Sequence, residues 1–233
     1  MRNYVIINGV NSSTKTGLAI KELPPISKPA IRTNTETIDG KDGDIITRLG
    51  YSAYDKTMEI GLFGTYDIDN IISFFNQSGT ITFSNETDKY YNFEMLNQID
   101  FEKLIKFRTA NVVFHCQPFK YEVGETAITL SSGNTTVKNK GNIYSKPILY
   151  IKGSGTIDVS LNSNQIFSID LSDNDEIIID TENLEAYDPD TNELLNRYVI
   201  GDYDDFNLIS GNNTVSLTGT IITANITKYS RWL

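Results

Sequence analysis

The chain's one histidine and one cysteine, His115 and Cys116, are adjacent, so a thiolate–imidazole pair is the first chemistry to consider. Nucleophilic catalysis by cysteine needs an imidazole converging on the sulfur. Residues 112–116 alternate in polarity and read as a strand, where successive side chains point to opposite faces. The two groups therefore cannot converge. They are also too few for a His/Cys zinc site. Cys116 reads instead as a small buried hydrophobe, and as the sole cysteine it leaves no intrachain disulfide.

The carboxylates give no better constellation. Asp188-Pro189-Asp190-Thr191-Asn192-Glu193 opens like a calcium loop, but Glu193 stands where the loop needs glycine and Val199 where it needs glutamate. A turn before the strand at Tyr198 is the better reading. Asp173, Asp175 and Glu176 form a second acidic turn, and Asp202, Asp204 and Asp205 a third. Glycoside hydrolysis needs two carboxylates at a set separation, and nothing singles out such a pair. Gly153-Ser154-Gly155 lacks the third glycine and the following helix of a nucleotide-binding turn. No catalytic, cofactor-binding or metal-binding residue is expected, and no enzyme. Sugar stacking is a separate matter. The single tryptophan, Trp232, is penultimate and reads as a chain-end anchor, which leaves Tyr144, Tyr187, Tyr198 and Tyr203 as possible glycan contacts. A carbohydrate-binding or adhesin-type β-sandwich is therefore the alternative reading.

The elements that must carry these residues are strands. The 233 residues suit one large β domain or two small ones and can bury a core without staples. Thirteen Tyr and eleven Phe supply strand-favouring bulk. Formal net charge is -10; residues 1–125 hold 13 Lys/Arg against 16 Asp/Glu, and residues 126–233 hold 7 against 14. No basic face is visible, which argues against nucleic-acid recognition, and the acidity reads as solubility. No run approaches the ~18 apolar residues of a membrane span, so no membrane partner is expected. The apolar run at residues 4–8 is too short for a signal peptide, so synthesis in the cytoplasm is expected. The Asn-x-Ser/Thr sequences at Asn11, Asn85, Asn134, Asn212 and Asn225 then follow from composition alone.

Along the chain, residues 4–8 read as a first strand ended by Asn8-Gly9. Leu23-Pro24-Pro25 breaks regular structure. Residues 37–44 form a Gly/Asp cluster at the tip of a long hairpin or arm. Met58, Ile60 and Leu62 share one strand face. One helix is expected over about 67–78, with Asp67 as N-cap, the stripe Ile68, Ile71, Ile72, Phe75 and Gly79 as its stop. Strands are expected at 80–84, 90–97, 103–107 and 111–116, with Pro118 ending the last. The second half reads as strands at 147–151, 155–161, 165–169, 176–180, 213–217 and 220–228, with Ile222, Ala224 and Ile226 on one face. This spacing suggests a sandwich or jelly roll. The expected fold class is mainly β: a sheet with one covering helix over residues 1–125, and a β-sandwich over 126–233.

The block Phe114-His115-Cys116-Gln117-Pro118-Phe119-Lys120-Tyr121 resembles the close of the N-terminal domain in distal tail proteins (Dit) of long-tailed, siphovirus-type bacteriophages. Ile7-Asn8-Gly9, Leu23-Pro24-Pro25, Asp88-Lys89-Tyr90-Tyr91 and the turn Ile38-Asp39-Gly40-Lys41-Asp42-Gly43 are similar to the same family, with Asp39 and Lys41 as departures from its Pro-Gly-Arg-Asp-Gly turn. In the second half Asn139-Lys140-Gly141-Asn142, Ser145-Lys146-Pro147, Ile178-Ile179-Asp180-Thr181-Glu182, Ser210-Gly211-Asn212-Asn213 and the terminal Arg231-Trp232-Leu233 match it in order.

The resemblance implies a virion structural protein of the tail tip, or of a related tail-like particle. Its N-terminal domains would form a homo-hexameric ring, and its C-terminal domains would be galectin-like sandwiches pointing outward. The ring would join the tail tube protein to a tail-associated tip protein, with tape measure or receptor-binding proteins as further partners. A galectin sugar site depends on a His/Asn/Arg and Trp/Glu constellation. Residues 126–230 hold neither His nor Trp, so a galectin-type lectin is not expected, and 233 residues leave no room for an inserted sugar-binding module. The last strand, ending at Trp232, is expected to stay with the second domain or return to the first. The ring interface is expected on the arm at Ile38, Lys41, Asp42, Asp44, Ile46 and Arg48; a solvated hairpin is the competing reading of that segment.

Overall fold

The computed structural model describes residues 2–96 and 98–233. Asn97, the end of the strand expected at 90–97, lies with Met1 outside the described residues. Strand makes up 54% and helix 10% of the chain, so the protein is mainly β, as its composition predicts. It divides into two units, one running to Val123 together with Leu233, the other Gly124–Trp232.

In the first unit, Asn8 and Gly9 both take positive φ, 47° and 81°. That conformation suits a two-residue hairpin turn, and it joins β1 (Val5–Ile7) to β2 (Val10–Asn11). There follow β3 (Leu18–Glu22), β4 (Ile31–Thr37), β5 (Asp44–Tyr51), β6 (Tyr54–Leu62), α1 (Ile68–Phe75), β7 (Gly79–Phe83), β8 (Lys89–Glu94), α2 (Phe101–Phe107) and β9 (Thr109–Glu122). One sheet runs in the order β2-β1-β7-β8-β9-β6-β3, while β4 and β5 pair only with each other. Met58, Ile60 and Leu62 share the buried face, with Val112, Phe114 and Cys116. Ile71, Phe74 and Phe75 of α1 close over it. Phe114 is the hub, meeting the rings of Phe75, Phe83 and Phe93 at 5.3 to 6.4 Å between centroids.

Three local expectations are corrected. Residues 103–107 are helix: the Asp100 carboxylate caps Lys103 N at 2.8 Å, and only Leu104 of the segment is buried, so a one-sided stripe suits a helix better than a strand. The first helix ends at Phe75, with Gln77 Nε2 donating to Phe74 O; Gly79 instead opens β7. Pro118 does not end its strand. Pairing of β9 with β6 reaches only Cys116, and the register with β8 slips between Tyr91 and Phe93. The missing N–H thus falls at a bulge, where a strand tolerates proline.

The second unit is all β: β10 (Ile128–Leu130), β11 (Gly133–Asn139), β12 (Ile148–Leu161), β13 (Asn164–Leu171), β14 (Glu176–Asp180), β15 (Glu185–Tyr187), β16 (Val199–Gly201) and β17 (Gly211–Thr227). The strand pairs expected at 147–151 and 155–161, and at 213–217 and 220–228, are each one long strand bent in the middle. Residues 148–152 of β12 pair with β14 and with the end of β17, while residues 155–161 pair with β13. The ladder slips at Lys152/Gly153 and between Ser154 and Asp158. Both halves line one core, with Leu149 and Ile151 from one and Ile157, Val159 and Leu161 from the other. A sheet doubled over at bulges is a sandwich whose strands cross between layers. Gly219 makes the bend possible: its φ is +117°, and a Cβ there would lie 2.5 Å from the Thr156 oxygen. The same slip turns Ile222 out to solvent and Ile221 inward, correcting the expected 222/224/226 face.

Candidate functional surfaces

His115 and Cys116 stand on opposite faces of β9. Cys116 is fully buried, and burial pushes its thiol up to about 12, the reverse of what activates a nucleophile. His115 points outward, its Nδ1 2.8 Å from Asp55 Oδ1. Two of the acidic turns cap themselves, and the third engages a lysine of β12. Asp188 Oδ1 accepts from the backbone of Asp190 and Thr191 and from the Thr191 hydroxyl, which holds it below the usual carboxylate range. Asp202 Oδ1 accepts from Asp204 N. Asp175 and Glu176 flank Lys152 at 3.1 and 3.6 Å.

The tyrosines weighed for glycan stacking are dispersed. The Tyr144 ring lies under the Arg231 guanidinium at 4.6 Å, the Tyr198 ring under Arg197 at 4.7 Å, and Tyr203 packs edge-on to Phe167. Tyr187 borders a hollow, about 280 Å³, with Asp180, Asn183, Glu185, Asn192 and Leu194. Both Asp180 oxygens there accept bonds from its own turn at Glu182 and Asn183.

A polar cluster missed by sequence reading is buried in the first unit. Glu86 accepts from Lys120 Nζ at 3.0 Å and from the Tyr91 hydroxyl at 2.9 Å. Burial, then the Glu86 charge, raises the Tyr91 phenol. Lys56 lies beside them with its ammonium over the rings of Tyr91, Tyr54 and Phe83 at 4.7, 5.4 and 5.7 Å. Desolvation lowers its pKa. Lys56, Tyr91 and Lys120 are all buried, and the geometry of the cluster is that of a structural lock. Its members come from sequence blocks that pair in space: Tyr91 opposes Lys120, and Tyr90 opposes Tyr121 with stacked rings 5.5 Å apart.

The arm β4–β5 is the other outstanding surface. Its residues are exposed along nearly the whole length, including Ile38, Ile45, Ile46 and Leu49. A lone two-stranded hairpin is marginal in water, and apolar exposure of this kind marks interaction surfaces. All six arm residues singled out in the sequence lie on the segment from Ile38 at the tip to Arg48 in β5.

No family model matches the chain, and no curated protein sequence matches it. Among solved structures, the Dit protein of phage SPP1, a paradigm of hub adsorption apparatus in phages infecting Gram-positive bacteria, aligns over 97% of this chain and 98% of its own with a TM-score of 0.69 and 18% identity. This chain has the Dit fold. Chains of the phage p2 baseplate in its activated conformation, with Sr and with Ca, align over 97% of this chain at 11% identity, covering 96% and 97% of theirs, with TM-scores of 0.49 and 0.46. The resemblance read from the Cys116–Tyr121 and Asp88–Tyr91 blocks thus holds at the level of the Dit fold.

Proposed function

We propose that this protein is the structural hub of a phage tail tip, a non-enzymatic component of the virion rather than a soluble lectin. One observation carries the reading: the Dit-fold match covers 97% of this chain and 98% of the SPP1 Dit chain, and so spans both units. In this reading the first unit builds a homo-hexameric ring, and the second is a galectin-like sandwich directed outward. The ring joins the tail tube protein to a tail-associated tip protein, with host adsorption as the outcome. Ile38, Lys41, Asp42, Asp44, Ile46 and Arg48 on the arm carry the contact with a neighbouring copy. A ring interface is heterologous and closes by rotation. The buried thiol, the self-capped acidic turns and the dispersed tyrosines fit an assembly component better than a glycan-binding adhesin. Light scattering after size exclusion over a concentration series tests this. A species of roughly 157 kDa, six chains of 26.2 kDa in a closed ring, is expected. A single-chain mass at every concentration, also in the presence of tail tube and tip proteins, overturns the reading.

A further inference from the structure

The first unit has two ends. β6 leaves the root of the arm at Tyr54 and runs nine residues to Leu62, about 27 Å at the rise of a strand. β9, antiparallel to it, begins at Thr109 beside Gly61, and β3 begins at Leu18 beside Leu62. The end away from the arm is therefore built by the start of β3, the end of β6 and the turn from α2 into β9.

Cations and rings alternate there. The Arg2 guanidinium lies 4.7 Å over the Phe63 ring and donates to Leu18 O at 2.8 Å. The Arg108 guanidinium lies 4.8 Å over the Tyr66 ring, and Lys106 Nζ lies 5.6 Å from the centre of the Phe107 ring. Two backbone features hold this set. Gly17 has a φ of +75°, and a Cβ there would lie 2.4 Å from the Tyr66 Cβ, so glycine is what lets Tyr66 pack against the start of β3. Arg108 takes the left-handed conformation at φ 59°, at a helix end where glycine is usual, and its carbonyl accepts from Leu62 N at 3.2 Å. Phe63, Ile105 and Phe107 stay exposed, Phe107 by 61%. Among the described residues no ion pair engages Arg2, Lys103, Lys106 or Arg108, while the Asp67 and Asp100 carboxylates nearby in the chain cap helices. A chain of net charge -10 thus keeps unpaired cations around exposed rings at one end of this unit.

We infer that this end of the first unit docks an acidic protein surface, carboxylates around an apolar socket, on a partner other than a copy of this chain. Arginine beside exposed aromatic rings is the composition of an interface centre, and carboxylates set opposite the cations select the partner and fix its register. A duplex phosphate backbone would engage the cations alone and leave Ile105 and Phe107 in water. The inference rests on the hub reading and deepens it: the arm takes the neighbouring copy, and the opposite end of β6 is left for a different protein of the tail.

The test uses the full chain with the tail tube and tail-tip proteins of its virion. Zero-length carbodiimide cross-linking joins a lysine amine only to a carboxylate in contact with it. Mass spectrometry of the linked peptides is expected to find Lys103 or Lys106 joined to an Asp or Glu of one of those two proteins. Two variants follow, Lys103→Glu with Lys106→Glu and Arg2→Glu with Arg108→Glu, each checked for folding by circular dichroism. Each is expected to reach the wild-type mass in light scattering but to bind that protein about tenfold or more weakly. Both lysines are exposed on α2, so their variant keeps the test readable if the arginine variant fails to fold. Links confined to copies of this chain, variants that bind like wild type, or a face that holds a single-stranded DNA oligonucleotide and neither protein, overturn the docking face and leave the ring reading standing. A wild type that stays at the single-chain mass yet binds through the same lysines overturns the ring and leaves the docking face.

Discussion

Lys56 donates from a buried ammonium to the backbone oxygen of Pro25 at 2.9 Å, and so ties the root of the arm to the core of its unit. Two more side chains hold the same stretch: Asn85 Nδ2 donates to Pro24 O at 3.1 Å, and the Tyr54 hydroxyl to Ser27 O at 3.4 Å. On the return strand Tyr51 meets Phe119 edge-on. The arm is exposed along its length but anchored at both ends, so its direction is set by the body it leaves.

Replacing Lys56 should loosen that root. Lys56→Ala removes a buried stem, a donor to Pro25 O and the ring contacts, at a cost of about 2–4 kcal/mol. Lys56→Met keeps the volume without a charge to desolvate and should recover most of the loss. Urea unfolding measures both, and hydrogen exchange at residues 26–30 should speed up in the alanine variant. Unchanged stability in Lys56→Ala would show that the ammonium contact contributes nothing.

The same pocket predicts weakness in alkali. The folded thiol of Cys116 is raised from 9.0 to about 12 and the Tyr54 phenol from 10.0 to about 12, both chiefly by burial; Tyr91 is raised as well. A raised folded pKa means stability complete below the unfolded pKa and lost as pH climbs toward the folded one. Each group then removes up to about 1.4 kcal/mol per pH unit. Lys56, lowered by burial, works in the opposite sense and recovers part of this as pH nears its unfolded value. Stability of the first unit should therefore fall from about pH 9 upward, beginning with the thiol. Cys116→Ala should delay the onset to about pH 10 while lowering stability at neutrality. An onset unmoved by that substitution would exclude the thiol as its source.

How far the sequence could be read follows from which signals are local. The β14 limits at 176 and 180, the Asp67 cap and the Met58/Ile60/Leu62 face rest on neighbouring residues, and all three appear in the fold. The bends of β12 and β17 do not. Gly153 and Gly219 look like strand ends in one dimension, and only pairing with a second long strand shows that the ladder continues through them. Pro118 misled for the same reason, since its tolerance depends on β6 having already ended. The Glu86 cluster draws Lys56, Tyr91 and Lys120 from three strands. No spacing rule finds such a group, although two charged residues inside alternating strands, Lys56 and Lys120, were its trace. The arm was legible as a Gly/Asp-rich hairpin, but that Thr33, Thr35 and Thr37 stand opposite Arg48, Ile46 and Asp44 follows only from its register.

The second unit makes its own prediction at Glu125, where the chain enters it. Its carboxylate accepts from Lys228 at 3.2 Å, from Ser230 N at 2.9 Å and from the Ser230 hydroxyl at 2.6 Å, binding the segment before β10 to the segment after β17. Both charged side chains are more than nine-tenths buried. Removing one partner of a buried pair strands the other without solvent, so Glu125→Ala should cost about 3–5 kcal/mol. Glu125→Gln keeps the shape and acceptor oxygen but leaves the ammonium uncompensated, and should recover only part. Combining Glu125→Gln with Lys228→Met removes the stranded charge and should be more stable than Glu125→Gln alone, a non-additivity that a double-mutant cycle in urea reads directly. If the two changes simply add, the ion pair is not what closes this end of the sandwich, and the Ser230 bonds are the remaining tie.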